Sequence, residues 1–289
     1  MDSISVNSSL EVVNKATIDI IIPTIGRKKE LYDVLCDLRN QTHIPKNVII
    51  VEQNTLLGSL SELDYLHLEL WPFAIKHTFT HQAGACNARN IALSQVVSEW
   101  IFLADDDIRI EFNFIKQAIE NIAIFGSKAA IFNCLLKEKI NNYTTISQTT
   151  IFGSGCSIIK KIDPKKVSFN ESLEFGYGED IDFGLQLRNS GVDVIYFPQP
   201  SILHLKAPIG GFRTKSMLAW EKEKIQPKPS PTITYVKQKY DSKEQIEGYK
   251  TVLFIKLLKN NKSLNLFQFL TLFKKRWKAS LYWANQLDN

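Results

Sequence analysis

Hydrophobic positions in the first half of the chain alternate between two periods. Short β-branched runs, typical of buried strands, occur at Thr17–Ile22, Asn47–Val51, Phe73–Phe79 and Trp100–Ala104. Between and after them, apolar residues recur at three- and four-residue spacing, which predicts helices over Lys28–Asn40, Ala85–Val97 and Phe112–Ile124. Strands that alternate with helices predict a mainly parallel sheet with helices on both of its faces.

The pattern changes after Gly126. Two strand-like runs, Ala129–Leu136 and Ile151–Ile159, have no helical pattern between them, which predicts antiparallel pairs within the same sheet. A helix is then expected at Glu179–Asn189, ended by Gly191. The remaining predicted strands are Val192–Phe197 and, after a break at Pro198 and Pro200, Ile202–Leu205. The expected fold class is a three-layer α/β/α sheet, mixed but mostly parallel.

The C-terminal part differs from this body in composition. The stretch Pro227–Thr232 reads as a proline-punctuated linker, and Tyr249–Asn289 holds two basic, aromatic helical segments. We therefore expect three regions: a flexible N-terminus over residues 1–16, a catalytic domain over 17–214, and a basic, mainly helical extension over 215–289.

Composition and charge narrow the classes of protein that fit. The 289 residues include 44% hydrophobic and 22% charged positions, which is ordinary for a globular chain. The sequence has no apolar stretch of about 20 residues and no secretory leader, so neither a transmembrane helix nor export is predicted. The four cysteines lack metal-binding or CxxC spacing, which favours free thiols and a cytoplasmic location.

The positive charge is concentrated in the last third. From Lys206 onward there are 17 Lys/Arg against 6 Asp/Glu, whereas the preceding residues carry 18 against 24. Helices packed on the body with a solvated basic face explain this, and so does a helix that lies on an anionic membrane surface. Nucleic-acid binding is not expected, because no recognised module accompanies the charge.

Three adjacent aspartates, Asp105–Asp107, follow the apolar strand WIFLA. A solvated turn or a helix N-cap would account for them without any ligand. However, Pro23-Thr24 and Glu52 also follow predicted strands, and ligands of open α/β sheets gather at the carboxyl ends of strands. Carboxylates at positions i and i+2 suit Mg²⁺ or Mn²⁺, ions that also hold phosphates.

A second acidic cluster, Glu179, Asp180 and Asp182, occupies the first turn of a predicted helix after Gly-Tyr-Gly. Stabilisation of the helix dipole explains such residues, and a carboxylate base that faces a substrate explains them equally well. His204, in SILHLK, is most simply a core histidine. If a divalent ion is bound nearby and needs a further ligand, His204 becomes a candidate for that ligand.

The ordered set of motifs over about residues 17–213 resembles inverting family 2 glycosyltransferases of the GT-A fold. IIPTIGRKKELYDVLCDLRNQT resembles the family's opening strand and helix, and VIIVEQNT its second strand, where Glu52 replaces the usual Asp. GACNARNIAL, FLADDDI and GYGEDIDFGLQL resemble its Ala-Arg-Asn, DxD and Glu-Asp elements. The resemblance implies a nucleotide-diphosphate sugar as donor.

The resemblance also assigns roles to residues. Those implied to contact the nucleotide sugar are Pro23, Thr24, Arg27, Glu52, Arg89, Asp105, Asp106 and Arg213. Asp105, Asp107 and His204 are implied to hold Mn²⁺ or Mg²⁺. Asp180 is implied to be the base that deprotonates the acceptor hydroxyl, with Glu179 orienting the acceptor or the base.

The expected function is single transfer of a sugar to a glycan or lipid-linked acceptor, in polysaccharide or cell-surface glycan biosynthesis, with peripheral membrane contact through the basic helices. The Gln-x-x-Arg-Trp element of polymerising members is absent. Two alternatives remain open: a nucleotidyltransferase, although PTIGRKKE supplies only one glycine, and a non-catalytic sugar-nucleotide binder, although the acidic motifs are intact.

Overall fold

The computed structural model describes residues 15–136, 143–208, 210, 217–261 and 263–287. Arg213 and residues 1–14 of the expected flexible N-terminus lie outside the described residues. The strands are β1 (Ile18–Thr24), β2 (Asn47–Gln53), β3 (Ala74–Thr80), β4 (Trp100–Ala104), β5 (Ile108–Arg109), β6 (Ala129–Leu136), β7 (Ser147–Thr149), β8 (Cys156–Lys160) and β9 (Val194–His204). The helices are α1 (Lys28–Arg39), α2 (Tyr65–Leu68), α3 (Ala85–Ser94), α4 (Phe114–Phe125), α5 (Glu179–Asn189), α6 (Pro231–Tyr240), α7 (Lys243–Lys259) and α8 (Leu266–Ala284).

All these strands belong to one mixed sheet with the order β3-β2-β1-β4-β8-β6-β9-β5, and β7 also pairs with β9. The pairs β1–β2, β2–β3, β1–β4 and β6–β9 are parallel, and β8 runs antiparallel to both β4 and β6. Helices α1 and α4 pack on one face through the first hydrophobic cluster, and α3 and α5 pack on the other through the second. The predicted three-layer α/β fold is confirmed.

The central strand β1 runs further than its apolar run predicts. It continues through Pro23 to Thr24, which pairs with Glu52 on β2, whereas pairing with β4 stops at Ile21. A proline is tolerated here because β4 no longer pairs with β1 at this level. Beyond Ile21 the two central strands separate, and this separation opens a crevice at the carboxyl end of the sheet.

The predicted break in the ninth strand is wrong. β9 is continuous, and Pro198 and Pro200 lie in an irregularity where Phe132 pairs with Phe197 but Asn133 pairs with Ser201. The extra residues bulge out of the ladder, so the missing N–H groups cost no regular hydrogen bond. The strand then ends at His204, which is in register with Ile108 of β5.

The expected linker at Pro227–Thr232 is also partly wrong, because helix α6 already begins at Pro231, with proline at a first-turn position that needs no N–H donor. Helices α7 and α8 then share a small apolar core built around Phe269, Phe273 and Trp277. No helix in the described part of the chain is long and apolar enough to cross a membrane.

Asp19 of strand β1 connects this strand to β2 and to the loop before β4. Its fully buried carboxylate accepts hydrogen bonds from Asn47 Nδ2 at 2.6 Å, Ser98 Oγ at 2.6 Å and the Val97 backbone N–H at 2.8 Å. Burial alone would raise the pKa of Asp19, but these donors outweigh it and hold the pKa below its usual value. The ionised carboxylate therefore stabilises the fold.

We expect Asp19→Ala to lower the free energy of unfolding by roughly 3 kcal/mol, because it leaves several buried donors without an acceptor. Urea denaturation followed by circular dichroism measures this. In the wild type the stabilisation should be present above pH 3.8, the ordinary value, and lost as the pH falls through the lower folded-state pKa. Asp64→Ala removes an exposed carboxylate and serves as the control; equal destabilisation by both variants would contradict the assignment.

Candidate active site

A cavity of about 230 Å³ lies at the carboxyl ends of β1, β2 and β4, where the central strands separate. Six segments line it: the β1 end, Gln53 at the end of β2, the start of α3, the aspartate triplet, Phe175, and the end of β9 with Lys206. The predicted site residues that line it are Pro23, Thr24, Arg27, Arg89, Asp105, Asp106, Asp107 and His204. Residues from position 23 to position 206 of the sequence are thus brought into one cleft.

Asp106 is held by the loop that follows β1. Its two oxygens accept hydrogen bonds from Thr24 Oγ1 and Arg27 Nη1, both at 2.7 Å. Burial raises the pKa of Asp106 to about 6, although Arg27 and Thr24 oppose the rise. This aspartate therefore locks the β1 and β4 ends together.

Asp105, Asp107 and His204 present ligand atoms that all lie within 4.8 Å of one another. Oδ2 of Asp107 accepts the Ala207 backbone N–H at 2.8 Å and lies 3.2 Å from Arg27 Nη1. Its other oxygen, Oδ1, is buried 3.1 Å from His204 Nε2, yet accepts no aligned hydrogen bond from the described residues. Two carboxylates and an imidazole, with this buried oxygen free of an aligned hydrogen bond, fit a divalent cation.

His204 carries a proton in the absence of such an ion. The adjacent Asp107 carboxylate, with the Cys134 thiol, raises the pKa of His204 to about 10. A histidine binds metals through a deprotonated ring nitrogen, so an ion at this position has to displace the proton.

Arg89, on α3, separates the aspartate triplet from the second acidic cluster. It is only 4% exposed, its Nη2 donates to Asp105 Oδ1 at 3.1 Å, and its guanidinium lies 5.4 Å from the centre of the Phe169 ring. Its Nε and Nη1 donate to no partner among the described residues. The positive charge also interacts favourably with Asp180 and Glu179, which gives the two acidic clusters a shared cation.

Asp180 is the second residue of helix α5 and lies beside the loop between Gly153 and Gly155. Its Oδ1 accepts the Ser154 backbone N–H at 3.2 Å, while a β-carbon added at Gly155 would overlap the Asp105 carboxylate. This loop therefore brings both acidic clusters to one place. Burial raises the pKa of Asp180 above its ordinary value against the opposing effect of Arg89, and burial also raises the pKa of Glu179.

Glu52 lies in a second cavity of about 190 Å³ that shares Thr24, Arg27 and Gln53 with the first. Its Oε2 lies 2.9 Å from His77 Nε2, and its Oε1 accepts the Glu62 backbone N–H at 3.2 Å. Burial would raise the pKa of Glu52, but these contacts hold it below the ordinary value. The carboxylate is ionised and fixed in orientation.

Three residues that the sequence analysis did not single out belong to this region. Lys206 lines the first cavity, and its position two residues after His204 was the available signal. His77 fixes Glu52 from the neighbouring strand, and Glu174 accepts the Cys86 backbone N–H at 2.9 Å at the start of α3. Glu174 is 88 residues from its partner, so no local pattern indicates it.

The simpler explanation for the aspartate triplet does not hold. Helix α4 is preceded by Asn113 at its N-cap, and all three aspartates lie upstream of β5 in the turn after β4. The triplet therefore caps no helix, and its charges are directed to the cavity and to Arg27 and Arg89.

Solved structures of other proteins have the same fold. The chain is similar to S. aureus TarS 1-349 in complex with UDP-GlcNAc, with 16% identity and a TM-score of 0.56 over 90% of this chain and 71% of that one. A second structure of TarS 1-349 gives 17% identity and a TM-score of 0.52 over 65% and 60% of the two chains. GalNAc-T7 with UDP, GalNAc and Mn2+ gives 12% and 0.55 over 66% and 44%.

The match spans 60% of the second TarS 1-349 structure and 43% of the longer TarS chain. No curated protein matches it. The model of the family described as "Glycosyl transferase family 2" matches residues 19–181, which is more than half of the chain and includes β1, the aspartate triplet and Asp180. The chain therefore belongs to glycosyl transferase family 2.

Proposed function

We propose that this chain transfers a sugar, with inversion, from a nucleoside-diphosphate donor to a hydroxyl group of a glycan or lipid-linked acceptor. The observation that carries the proposal is the placement of buried Arg89 between Asp105 in the cavity and the Glu179–Asp180 pair. It joins a candidate donor site to a candidate base. Polysaccharide or cell-surface glycan biosynthesis is the process that suits such a reaction.

The two adjoining cavities support a donor with two recognisable parts. The second cavity, with Glu52, Gln53 and Asn54, offers fixed acceptors and amides suited to a nucleobase and ribose. The first, with Arg27, Arg89 and Lys206, offers cations suited to a diphosphate. The UDP-GlcNAc bound by TarS and the UDP bound by GalNAc-T7 support uridine as the first nucleoside to test.

Asp105, Asp107 and His204 would hold Mn²⁺ or Mg²⁺, which their proximity and the buried Asp107 Oδ1, without an aligned hydrogen bond, support. Such an ion supplies positive charge to the diphosphate as it leaves. The Mn2+ in the GalNAc-T7 structure supports manganese as the first ion to test.

The chemistry assigned to the chain itself is one proton transfer and the stabilisation of one leaving group. The acceptor oxygen bonds to the anomeric carbon as the bond from that carbon to the diphosphate oxygen breaks. Asp180 takes the hydroxyl proton, and its raised pKa suits a base better than an ordinary aspartate does. Arg89 and Lys206 stabilise the departing charge, and no second carboxylate nucleophile is needed because attack is direct.

The two alternatives have less support. A nucleotidyltransferase usually carries a basic, glycine-rich loop after the first strand, whereas here the cation of that loop, Arg27, is paired with Asp106. A non-catalytic binder has no need for a buried carboxylate such as Asp180 beside the donor cavity.

We further propose that α7 and α8 rest on an anionic bilayer at the cytoplasmic face of a membrane, which suits a lipid-linked acceptor. Residues 248–287 contain eight Lys/Arg and no Asp or Glu. These helices and the turn between them also expose large apolar side chains: Val252, Ile255, Leu264, Leu266, Phe267 and Leu270. Exposed apolar residues flanked by lysines are typical of helices that lie in a membrane interface.

Asp105→Asn should abolish the effect of metal on nucleotide binding, because it removes one of the three ligands. We expect Mn²⁺ to tighten UDP binding to the wild type at least tenfold, and to change binding to the variant less than twofold. Isothermal titration calorimetry with and without Mn²⁺ measures both. Asp163→Asn, an exposed carboxylate outside the cavity, should behave as wild type, and a wild type indifferent to Mn²⁺ would refute the metal assignment.

Asp180→Asn should lower transfer by a factor of about 1,000, because an amide cannot accept the hydroxyl proton. Donor affinity should stay within about threefold of wild type. Product formation from a panel of nucleotide sugars, together with calorimetry of UDP, separates these effects. Glu179→Gln is the matched neighbour; if Asp180→Asn keeps its turnover while Glu179→Gln loses it, the base is Glu179.

Replacing Lys256, Lys259, Lys274 and Lys275 with Gln should weaken binding to phosphatidylserine-containing vesicles by at least about 100-fold, since each basic residue near the surface contributes about 1 kcal/mol. Vesicle sedimentation measures the bound fraction, with phosphatidylcholine vesicles as the neutral reference. Replacing Lys128, Lys161, Lys165 and Lys166 removes the same charge from the body. Similar losses in the two variants would argue against a membrane-facing surface.

A further inference from the structure

The C-terminal extension contacts the catalytic body at the helix that carries Asp180. Asp182, in the first turn of α5, is completely buried, and its Oδ1 accepts hydrogen bonds from Lys239 Nζ at 2.9 Å and Tyr240 OH at 3.0 Å. Both donors are the last residues of α6. Oδ2 of Asp182 accepts from Gln186 Nε2 at 2.6 Å, so both carboxylate oxygens are engaged.

The other end of α6 contacts the segment that leads into α5. Thr232, also fully buried, accepts the Tyr177 backbone N–H at 3.1 Å through Oγ1. A β-carbon at Gly176 would overlap the Thr232 side chain, and Gly178 has a φ of +113° against Val236. Glycine is required at these positions because α6 approaches the backbone closely and, at Gly178, because φ is positive.

Helix α6 is also held by contacts with α8 and with Asn170. Thr234 and Ser280 of α8 share a buried hydrogen bond of 2.6 Å, and Asn170 Nδ2 donates to Tyr235 OH at 3.0 Å. Leu173, Val236 and Ala284 form a small apolar cluster between the body and the extension. The position of α6 is therefore determined on both of its sides.

We infer that α6 is a positioning element for the catalytic base, and that Lys239 and Tyr240 act through Asp182 to set the first turn of α5. This inference rests on the proposed function, because Asp180 lies between the two segments that α6 holds. Lys239 is the cation within salt-bridge distance of Asp182 in the described structure. Its loss leaves a buried carboxylate without a charge partner, and the first turn of α5 has to move or loosen to hydrate it.

A change in the position of the first turn of α5 should affect the reaction step rather than donor binding. The donor cavity is lined by the ends of β1, β2 and β9, the start of α3, the aspartate triplet and Phe175, and neither α6 nor the first turn of α5 contributes a side chain to it. A displacement of a catalytic group by about 1 Å can cost about 100-fold in rate. A variant that loosens the first turn of α5 should therefore lower kcat while the donor KM and the affinity for UDP stay unchanged.

Lys239→Met tests this inference, with Lys237→Met as the matched control on the same helix. Lys237 pairs with Asp241 four residues away and makes no ion pair with the catalytic body in the described structure. We expect Lys239→Met to lower kcat at least tenfold with donor KM within twofold, Lys239→Arg to recover most of the loss, and Lys237→Met to keep kcat within twofold. Tyr240→Phe removes one hydrogen bond and no charge, and serves if Lys239→Met does not fold.

Amide hydrogen exchange over residues 176–182 gives a readout that does not need turnover. Exchange there should rise at least tenfold in Lys239→Met, or to a smaller extent in Tyr240→Phe, and stay at the wild-type rate in Lys237→Met. Unchanged exchange in the Lys239 and Tyr240 variants, or a kcat equal to that of the Lys237 control, overturns the inference. A wild type that binds UDP but transfers no sugar contradicts the proposed function instead, and exchange alone then decides whether α6 positions this segment.

Discussion

Two buried arginines allow five carboxylates to gather at one end of this sheet. Adjacent carboxylates repel one another, and burial strengthens the repulsion because little water remains to screen it. Arg27 neutralises the side that faces β1 through Asp106 and Asp107, and Arg89 neutralises the side that faces α5 through Asp105, Asp180 and Glu179. Without these cations several of the carboxylates would be protonated, and they could then neither bind a metal ion nor accept a proton from a substrate.

The two arginines differ in what they leave available. Arg27 is bound to Asp106 by a short ion pair that also joins the β1 and β4 ends, which is a structural task. Arg89 makes one hydrogen bond to Asp105, and its Nε and Nη1 have no hydrogen-bond partner in the described part of the chain. A buried guanidinium with unused donors costs stability, so it is expected where a ligand supplies the missing acceptors. We therefore expect Arg89, rather than Arg27, to contact a phosphate of the proposed donor.

Much of the fold was predictable because its signals are local. The strands β1, β2 and β4 are buried on both faces and read as largely apolar runs, and the amphipathic helices α1 and α4 show the helical period. The continuous β9 was not predictable, because prolines usually end a strand and only its pairing with β6 places them in a bulge. The Glu52–His77 and Asp182–Lys239 contacts join distant segments, and no single-sequence pattern encodes such pairs. The candidate site was predictable in part. Its acidic residues stand in recognisable motifs, whereas the contributions of Lys206 and Glu174 follow only from the folded structure.

The charge of the aspartate cluster also gives a physical reason for the proposed metal ion and the proposed donor to bind cooperatively. In the free chain a proton on His204 balances part of the charge of Asp107. A divalent ion in place of this proton would add a net single positive charge to a cavity that already contains Arg89 and Lys206. In the absence of an anion that excess is unfavourable in a partly enclosed cleft, whereas a diphosphate would neutralise it. Each ligand should therefore strengthen the binding of the other, and the coupling should be reciprocal because both act on the same charge balance.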